Sequence, residues 1–321
     1  MGRSALQGWE SLIQHYPEPC QQSLREHLGR YYEMPAENIA AGNGATEFLY
    51  TLFSDLRPPR VWTVAPTFSE YARAGVAAGA TIVSASREVL ASKATETLGK
   101  NDVVCICIPN NPDGVILDSD TVAWWLDLTR ERGAYLLIDE SFGDFDAALP
   151  SYRRLVLWEK HLLILRSLTK FWAIPGLRLG ALFAHHTQIE RVLAQTDQWN
   201  VNVLAAAYMM AALYDRDYID STRRLIAAEK ERMYRQYCRI DGMTVIPPSV
   251  NFMLMRLPAK LTAKVLTARL EAKGILIRNC DNYDGLSPQH IRIAIRTSQE
   301  NDRLFAALAE EIRILQKEGT D

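Results

Sequence analysis

Four short apolar runs in the chain each end on a side chain able to take part in chemistry. Residues 61–65 run into Pro66-Thr67-Phe68, and residues 103–108 into Pro109-Asn110-Asn111-Pro112-Asp113-Gly114. Residues 135–138 run into Asp139-Glu140, and residues 162–165 into Arg166-Ser167-Leu168-Thr169-Lys170. In an open α/β sheet the ligand site lies beyond the carboxyl ends of the strands, so these tails fall where chemistry is expected. They offer an aromatic ring, an amide, a carboxylate and an amine nucleophile. Singly, each has an ordinary structural explanation: Asn-Pro-x-Gly is a turn sequence, an aspartate after a strand is often a cap, and most lysines are solvated. Their succession in this order points to a built site, because Gly42-Asn43-Gly44 stands upstream and Gly176-Leu177-Arg178-Leu179-Gly180 downstream.

The elements that must hold these tails are legible as alternating apolar runs and helical patterns, the signature of an α/β domain on a largely parallel sheet. Strands are predicted at 61–65, 103–108, 135–139, 162–165 and 177–183. Residues 119–132 suit a crossover helix with Gly133 at its C-terminal cap. The large domain is expected to span 39–199, and a smaller α+β domain to comprise 1–38 and 200–321. In the latter, 203–214 is apolar and 221–238 is a charged helix on which Ile226, Met233 and Tyr237 share a face. A helix over 262–273 stops at Gly274 and feeds a strand at 275–278. Residues 291–296 alternate as a strand, and Leu304, Leu308, Ile312 and Leu315 stripe a terminal helix.

These motifs resemble those of the fold-type I pyridoxal-phosphate enzymes, from about His15 onward. Within that superfamily three segments are similar to the threonine-phosphate decarboxylases of cobalamin biosynthesis, with histidinol-phosphate aminotransferase as the close relative. They are Leu165-Arg-Ser-Leu-Thr-Lys-Phe-Trp-Ala-Ile-Pro-Gly-Leu-Arg-Leu-Gly180, Ile275-Leu-Ile-Arg-Asn-Cys-Asp-Asn-Tyr-Asp-Gly-Leu286 and Ile291-Arg-Ile-Ala-Ile-Arg296.

The resemblance implies pyridoxal 5'-phosphate as cofactor and a role for each residue that matches. Lys170 would carry the cofactor, which needs a neutral amine; Arg178 and the apolar segment 171–174 could lower its pKa. Asp139 would pair with the pyridine nitrogen and keep it protonated, making the ring an electron sink. Asn111 would bond the ring's 3'-oxygen, and Phe68 would stack on the ring face. Gly44, Ala45 and Thr46 open an apolar helix whose first N–H groups would receive the phosphate, together with Ser167, Thr169 and Arg178. Tyr16 would reach the cofactor of a second copy, which implies a homodimer with shared sites. Arg278 and Arg292 would bind substrate anions, since guanidinium suits bidentate contact with carboxylate or phosphate, and Asn202 would line the substrate pocket.

Three departures from the relatives' pattern are present. Phe142 stands where histidinol-phosphate aminotransferases carry a tyrosine, Asp113 replaces the commoner threonine of the Asn-Pro-Thr-Gly loop, and Ser141 replaces an alanine. Phe142 and the 275–286 segment favour the decarboxylase, whose substrate is L-threonine O-3-phosphate, over the aminotransferase. A scaffold that has lost turnover is disfavoured by the complete set of Lys170, Asp139, Asn111 and Arg178.

Composition excludes several other classes. The formal net charge of −2 leaves no basic field to hold a nucleic acid. No apolar run approaches the twenty residues of a membrane span, and the first residues lack a signal core, so a cytoplasmic protein is expected. The five cysteines are scattered, which suits reduced thiols, and Cys105 and Cys107 fall on one face of an apolar run. The six histidines show no metal spacing, and no metal is expected.

Overall fold

The computed structural model describes residues 1–318. They form two compact units. The larger comprises Met1–Val64, Ser69–Ile108 and Leu117–Asp220; the smaller comprises Ala65–Phe68, Pro109–Ile116 and what is described from Ser221 onward.

The larger unit is built on seven strands: β1 (Ile39–Gly42), β2 (Arg60–Val64), β3 (Thr81–Ala85), β4 (Val103–Cys107), β5 (Tyr135–Asp139), β6 (Leu162–Ser167) and β7 (Gly180–Ala184). Their order is β1-β7-β6-β5-β4-β2-β3. Neighbours from β6 to β3 pair in parallel, whereas β7 runs antiparallel to both β6 and β1. Every residue of β4, β5 and β6 is buried, which is why each reads as a continuous apolar run: a parallel sheet is covered on both faces. Register then sets the chemistry. Asp139 at the end of β5 pairs with Leu165 of β6, so the tails carrying Asp139 and Lys170 leave neighbouring strands at the same sheet edge.

The crossover helix Ser119–Arg132 between β4 and β5 is bounded as its residues dictate. Asp118 Oδ1 accepts the Thr121 N–H at 2.7 Å, and Gly133 takes the left-handed conformation at φ 63°. The predicted strand at 177–183 begins later, at Gly180, because Pro175–Leu177 forms a 3-10 turn and Arg178 is left-handed at φ 55°. Cys105 and Cys107 are both buried on β4, and all five cysteines are free. His185 caps the helix His186–Gln195, and its ring lies 4.3 Å from that of His186.

The smaller unit holds a four-stranded antiparallel sheet of order β10-β11-β9-β8, from β8 (Thr244–Val245), β9 (Phe252–Arg256), β10 (Arg278–Asn279) and β11 (His290–Ala294). Its core contains Ile291, Ile293, Met253 and Leu254 from the sheet, and Leu266, Leu308 and Ile312 from the helices Ala263–Ala272 and Ser298–Glu318. Ile226, Met233 and Tyr237 of the helix Arg216–Tyr237 are buried together, as their spacing predicts. The strand expected at 275–278 contracts to Arg278–Asn279; Leu276 is exposed and outside it.

The units divide elsewhere than the sequence reading placed them. Residues 1–38 and 200–220 belong to the larger unit, because the helix Gln22–Tyr32 packs Leu24, Leu28 and Tyr32 beside β1 and the helix Val203–Ala212. Residues 65–68 and 109–116 belong to the smaller unit, although they lie within 39–199. Among the described residues, no helix is long and apolar enough to cross a membrane and no group of three or more His, Cys, Asp or Glu is placed to hold a metal.

Candidate active site

In the larger unit, β6 is buried through Ser167, Thr169 remains buried, and Lys170 emerges exposed. The chain turns there because Ala173 and Ile174 donate their N–H groups to the carbonyls of Lys170 and Thr169, at 3.2 and 3.1 Å. Phe171 and Trp172, which follow the lysine in the chain, are buried. The Lys170 Nζ lies 5.5 Å from the centre of the Phe142 ring.

Asp139 is 6% exposed. Its Oδ2 accepts the Tyr71 hydroxyl at 2.6 Å and its Oδ1 the Ser141 N–H at 2.9 Å. Burial, then the Asp139 charge, push the Tyr71 hydroxyl well above its ordinary pKa, so it stays protonated and donates. The turn after β5 is tied to β6 by Arg166, whose Nη2 reaches Glu140 Oε2 at 2.6 Å and Nη1 reaches Asp144 Oδ1 at 2.7 Å. Burial opposes the guanidinium charge, but Asp144 and Glu140 more than restore it, and the pKa of Arg166 lies above its ordinary value. An ion network of this kind costs desolvation; what it secures here is the spacing between the Asp139 turn and the strand that leads to Lys170.

The helix Ala45–Leu56 opens on the N–H groups of Ala45 and Thr46, for which the helix supplies no carbonyl, while the Glu47 N–H donates to Gly44 O at 3.2 Å. Gly44 precedes it at φ 88° and ψ 153°, a conformation that is essentially glycine's alone. A Cβ at Gly44 would stand 2.7 Å from Arg178 Nη2, so the missing side chain is what lets the guanidinium close over the loop. Gly180 presses equally close, since a Cβ there would lie 2.3 Å from the Ala45 nitrogen. Glu47 Oε2 accepts the Asn43 N–H at 2.6 Å and Asn200 Nδ2 at 2.9 Å, which fixes the loop. The hydroxyls of Ser167 and Thr169 meet at 2.8 Å. Glycine-permitted amides, two hydroxyls and an arginine suit a phosphate dianion, and a buried carboxylate held at a strand end suits a protonated ring nitrogen. The residues present therefore fit pyridoxal phosphate.

Two sequence candidates of this unit have other surroundings. Asn202 Oδ1 caps the helix Val203–Ala212 by accepting the Ala205 N–H at 2.8 Å, and its Nδ2 donates to the Leu177 carbonyl at 3.0 Å. It thereby holds the turn that precedes Arg178. Tyr16 is 81% exposed, its ring 5.1 Å from that of Trp199.

The smaller unit carries Phe68, Asn111, Arg278 and Arg292. Asn110 ties the two short segments together: its Nδ2 donates to Pro66 O and to Asp113 Oδ1, both at 2.8 Å, and its Oδ1 accepts the Thr67 hydroxyl at 2.8 Å. Asp113 also accepts the Val115 N–H at 3.0 Å, so the residue that replaces threonine in this loop braces it. Phe68 is half-buried in the segment held this way. Asn111 is buried, and its Oδ1 accepts from Arg292 Nη1 and, at 3.3 Å, from the Tyr283 hydroxyl. With the carbonyl side so engaged, the amide's Nδ2 is the face left to donate.

Arg278 and Arg292 are direct partners across β10 and β11. Residues so paired carry side chains on one face with Cβ atoms about 5 Å apart, where like charges are destabilising. Arg278 reaches Asn282 Oδ1 at 2.9 Å and lies over the Tyr283 ring, 5.7 Å from its centre, and Arg292 lies 5.1 Å over the Phe252 ring. None of these partners is an anion. Burial raises the Cys280 thiol to about 11, with Arg292 and Arg278 pulling the other way, so no thiolate compensates the pair.

Tyr71, Tyr283, Glu47 and Ser141 were given no role in the site by sequence. The available signal was weak: a tyrosine in an alanine-rich helix such as Glu70–Ala77 must find a partner for its hydroxyl when buried, but nothing local says which.

A mostly parallel sheet that ends on a buried carboxylate and a lysine, with a glycine loop opening a helix, is the arrangement of a pyridoxal-phosphate enzyme of fold type I. The chain belongs to the aminotransferase class I and II family, whose profile matches residues 8–308. It is 36% identical over 306 residues to the threonine-phosphate decarboxylase of Salmonella typhimurium, covering 92% of this chain and 83% of the relative. It is 33% identical to the histidinol-phosphate aminotransferase of Roseiflexus castenholzii, over 92% of this chain and 80% of that protein. The crystal structure of L-threonine-O-3-phosphate decarboxylase from Porphyromonas gingivalis superposes with a TM-score of 0.87 at 26% identity, over 97% of this chain and 95% of that one. The cofactor is pyridoxal 5'-phosphate.

Proposed function

We propose that this enzyme decarboxylates L-threonine O-3-phosphate to (R)-1-amino-2-propanol O-2-phosphate and CO2, in cobalamin biosynthesis, as a cytoplasmic homodimer. The observation that carries the reading is Arg278 opposite Arg292, two guanidiniums on one sheet face without an anionic partner among the described residues. A substrate with a carboxylate and a phosphate supplies the two anions they lack. Similarity to threonine-phosphate decarboxylase, and Phe142 in place of a tyrosine, support the same choice.

When bound, pyridoxal phosphate supplies an electron sink conjugated to the substrate α-carbon. Gly44, Ala45, Thr46, Ser167, Thr169 and Arg178 would hold its phosphate, Asp139 its ring nitrogen, Asn111 its 3'-oxygen and Phe68 its ring face. Arg278 and Arg292 would bind the two substrate anions and so fix how the carboxylate is presented, which would favour loss of CO2 over loss of the α-proton. Lys170 would hold the cofactor and, as the amine nearest the site of bond cleavage, would deliver the proton that replaces the lost CO2. Tyr16 serves the site of the second copy; its exposure beside Trp199, with Trp9 and Ile13 also exposed, supports a contact there.

The test is CO2 release from L-threonine O-3-phosphate by the holoenzyme with no 2-oxo acid added, and its loss in Lys170→Ala. Cycling of the cofactor to its amine form with histidinol phosphate and a 2-oxo acid, without CO2, would replace this reading with the aminotransferase.

A further inference from the structure

Asp139 has an environment more specific than a ring partner requires. A carboxylate offers about four acceptor positions on its two oxygens. Here Oδ1 takes a backbone N–H, that of Ser141 at 2.9 Å, and Oδ2 takes the Tyr71 hydroxyl at 2.6 Å, within the range of a short charge-assisted bond. Tyr71 is fully buried on the helix Glu70–Ala77, and Asp139 ends β5, 68 residues away. The two donors come from different elements, so the carboxylate plane is fixed at both oxygens.

We propose that Tyr71 is a positioning residue for catalysis: by donating to Asp139 Oδ2 it orients the carboxylate toward the ring nitrogen of pyridoxal phosphate and keeps the proton of that pair on the nitrogen. The inference rests on the assignment of Asp139 to the ring nitrogen. Its physical content is an effect on basicity. A carboxylate that already accepts a strong hydrogen bond is a weaker base and leaves the proton on its partner. Without the hydroxyl, the Asp139 carboxylate loses one of its two fixed donors and gains rotational freedom, so its contact with the ring nitrogen weakens. Burial and the neighbouring charge keep Tyr71 protonated, so it can only strengthen the carboxylate form.

The experiment compares Tyr71→Phe and Asp139→Asn with the wild type by three readouts. These are the dissociation constant of pyridoxal phosphate, the nitrogen-15 resonance of ring-labelled cofactor in the holoenzyme, and the melting of the cofactor-free protein. Tyr71→Phe is expected to weaken cofactor binding about tenfold, the equivalent of one charge-assisted hydrogen bond. It should also move the ring-nitrogen resonance toward the unprotonated value, in the direction of Asp139→Asn but less far, and lower kcat more than it changes KM. If Asp139→Asn moves the resonance and the affinity while Tyr71→Phe leaves the resonance in place and the affinity within twofold, Tyr71 is only a core residue and the proposal fails. If Asp139→Asn moves neither, the assignment of Asp139 fails and takes this proposal with it. Should Tyr71→Phe fold poorly, 3-fluorotyrosine at position 71 keeps ring and hydroxyl but donates more strongly. The resonance must then shift toward the protonated value, and an unmoved resonance overturns the proposal.

Discussion

Replacing Gly44 by alanine separates backbone strain from the working of the phosphate seat. At φ 88° and ψ 153° the residue lies in a region open to glycine alone, so any L side chain there costs about 1–3 kcal/mol of folding stability. The added methyl also meets Arg178 Nη2 at 2.7 Å, and because this is the end of a flexible side chain, the guanidinium rather than the backbone moves. Removing one charge-assisted contact from the phosphate forfeits about 1.5–3 kcal/mol, or about 10- to 150-fold in the dissociation constant. Two other glycines calibrate the result. Gly79, also at positive φ (83°) with nothing within 4 Å of its would-be Cβ, should lose stability as alanine with no change in cofactor affinity. Gly176 has open space and no positive φ, and should tolerate alanine on both counts. The assays are denaturant unfolding of the cofactor-free protein and titration with pyridoxal phosphate followed by absorbance. A Gly44→Ala protein that binds the cofactor within twofold of wild type would refute the placement of the phosphate.

Three other substitutions test the smaller unit. Arg278→Ala and Arg292→Ala should each lower kcat/KM for the phosphorylated substrate about 10- to 100-fold. Only Arg292→Ala should also shift the absorption of the bound cofactor, because Arg292 alone of the two bonds Asn111 Oδ1; equal spectra in both variants would contradict that link. Glu229 is held down to about 2, chiefly by Arg232 and then by Asn301 and Ser298, against an ordinary 4.5. Since its folded pKa is depressed, its contribution is fully present above pH 4.5 and is lost as pH falls toward 2. Glu229→Gln should therefore be less stable at neutral pH and show a shallower acid unfolding curve across that window, measured by circular dichroism.

What was legible from the residues alone follows from how each element is buried. The buried runs of β4, β5 and β6 announced themselves because both faces of a parallel sheet are apolar, and their ends and the tails that follow carry Asn111, Asp139 and Lys170 in order. The strand β1, Ile39-Ala40-Ala41-Gly42, is too short and too poor in branched residues to stand out, and β3 at the sheet edge is half-exposed. The cross-links that orient the site were illegible for another reason. Tyr71 to Asp139 spans 68 residues and Arg292 to Asn111 spans 181, and no local pattern encodes a partner so distant. Residues 275–277 misled because an apolar triplet satisfies a strand pattern whether or not a neighbour pairs with it.

The antiparallel seam between β1 and β7 bears on the order in which the molecule can be assembled. Ile39 pairs with Phe183, 144 residues later (183 − 39), and β1, at the edge of the sheet, has no other strand beside it. The Gly42-Asn43-Gly44 loop, proposed to receive the phosphate, hangs from the end of β1, so its geometry depends on a partner that leaves the ribosome long after it does. At about 5–20 residues per second of synthesis, that interval is on the order of ten seconds. Until β7 arrives, the loop has nothing to close against, and the nascent chain should not retain the cofactor.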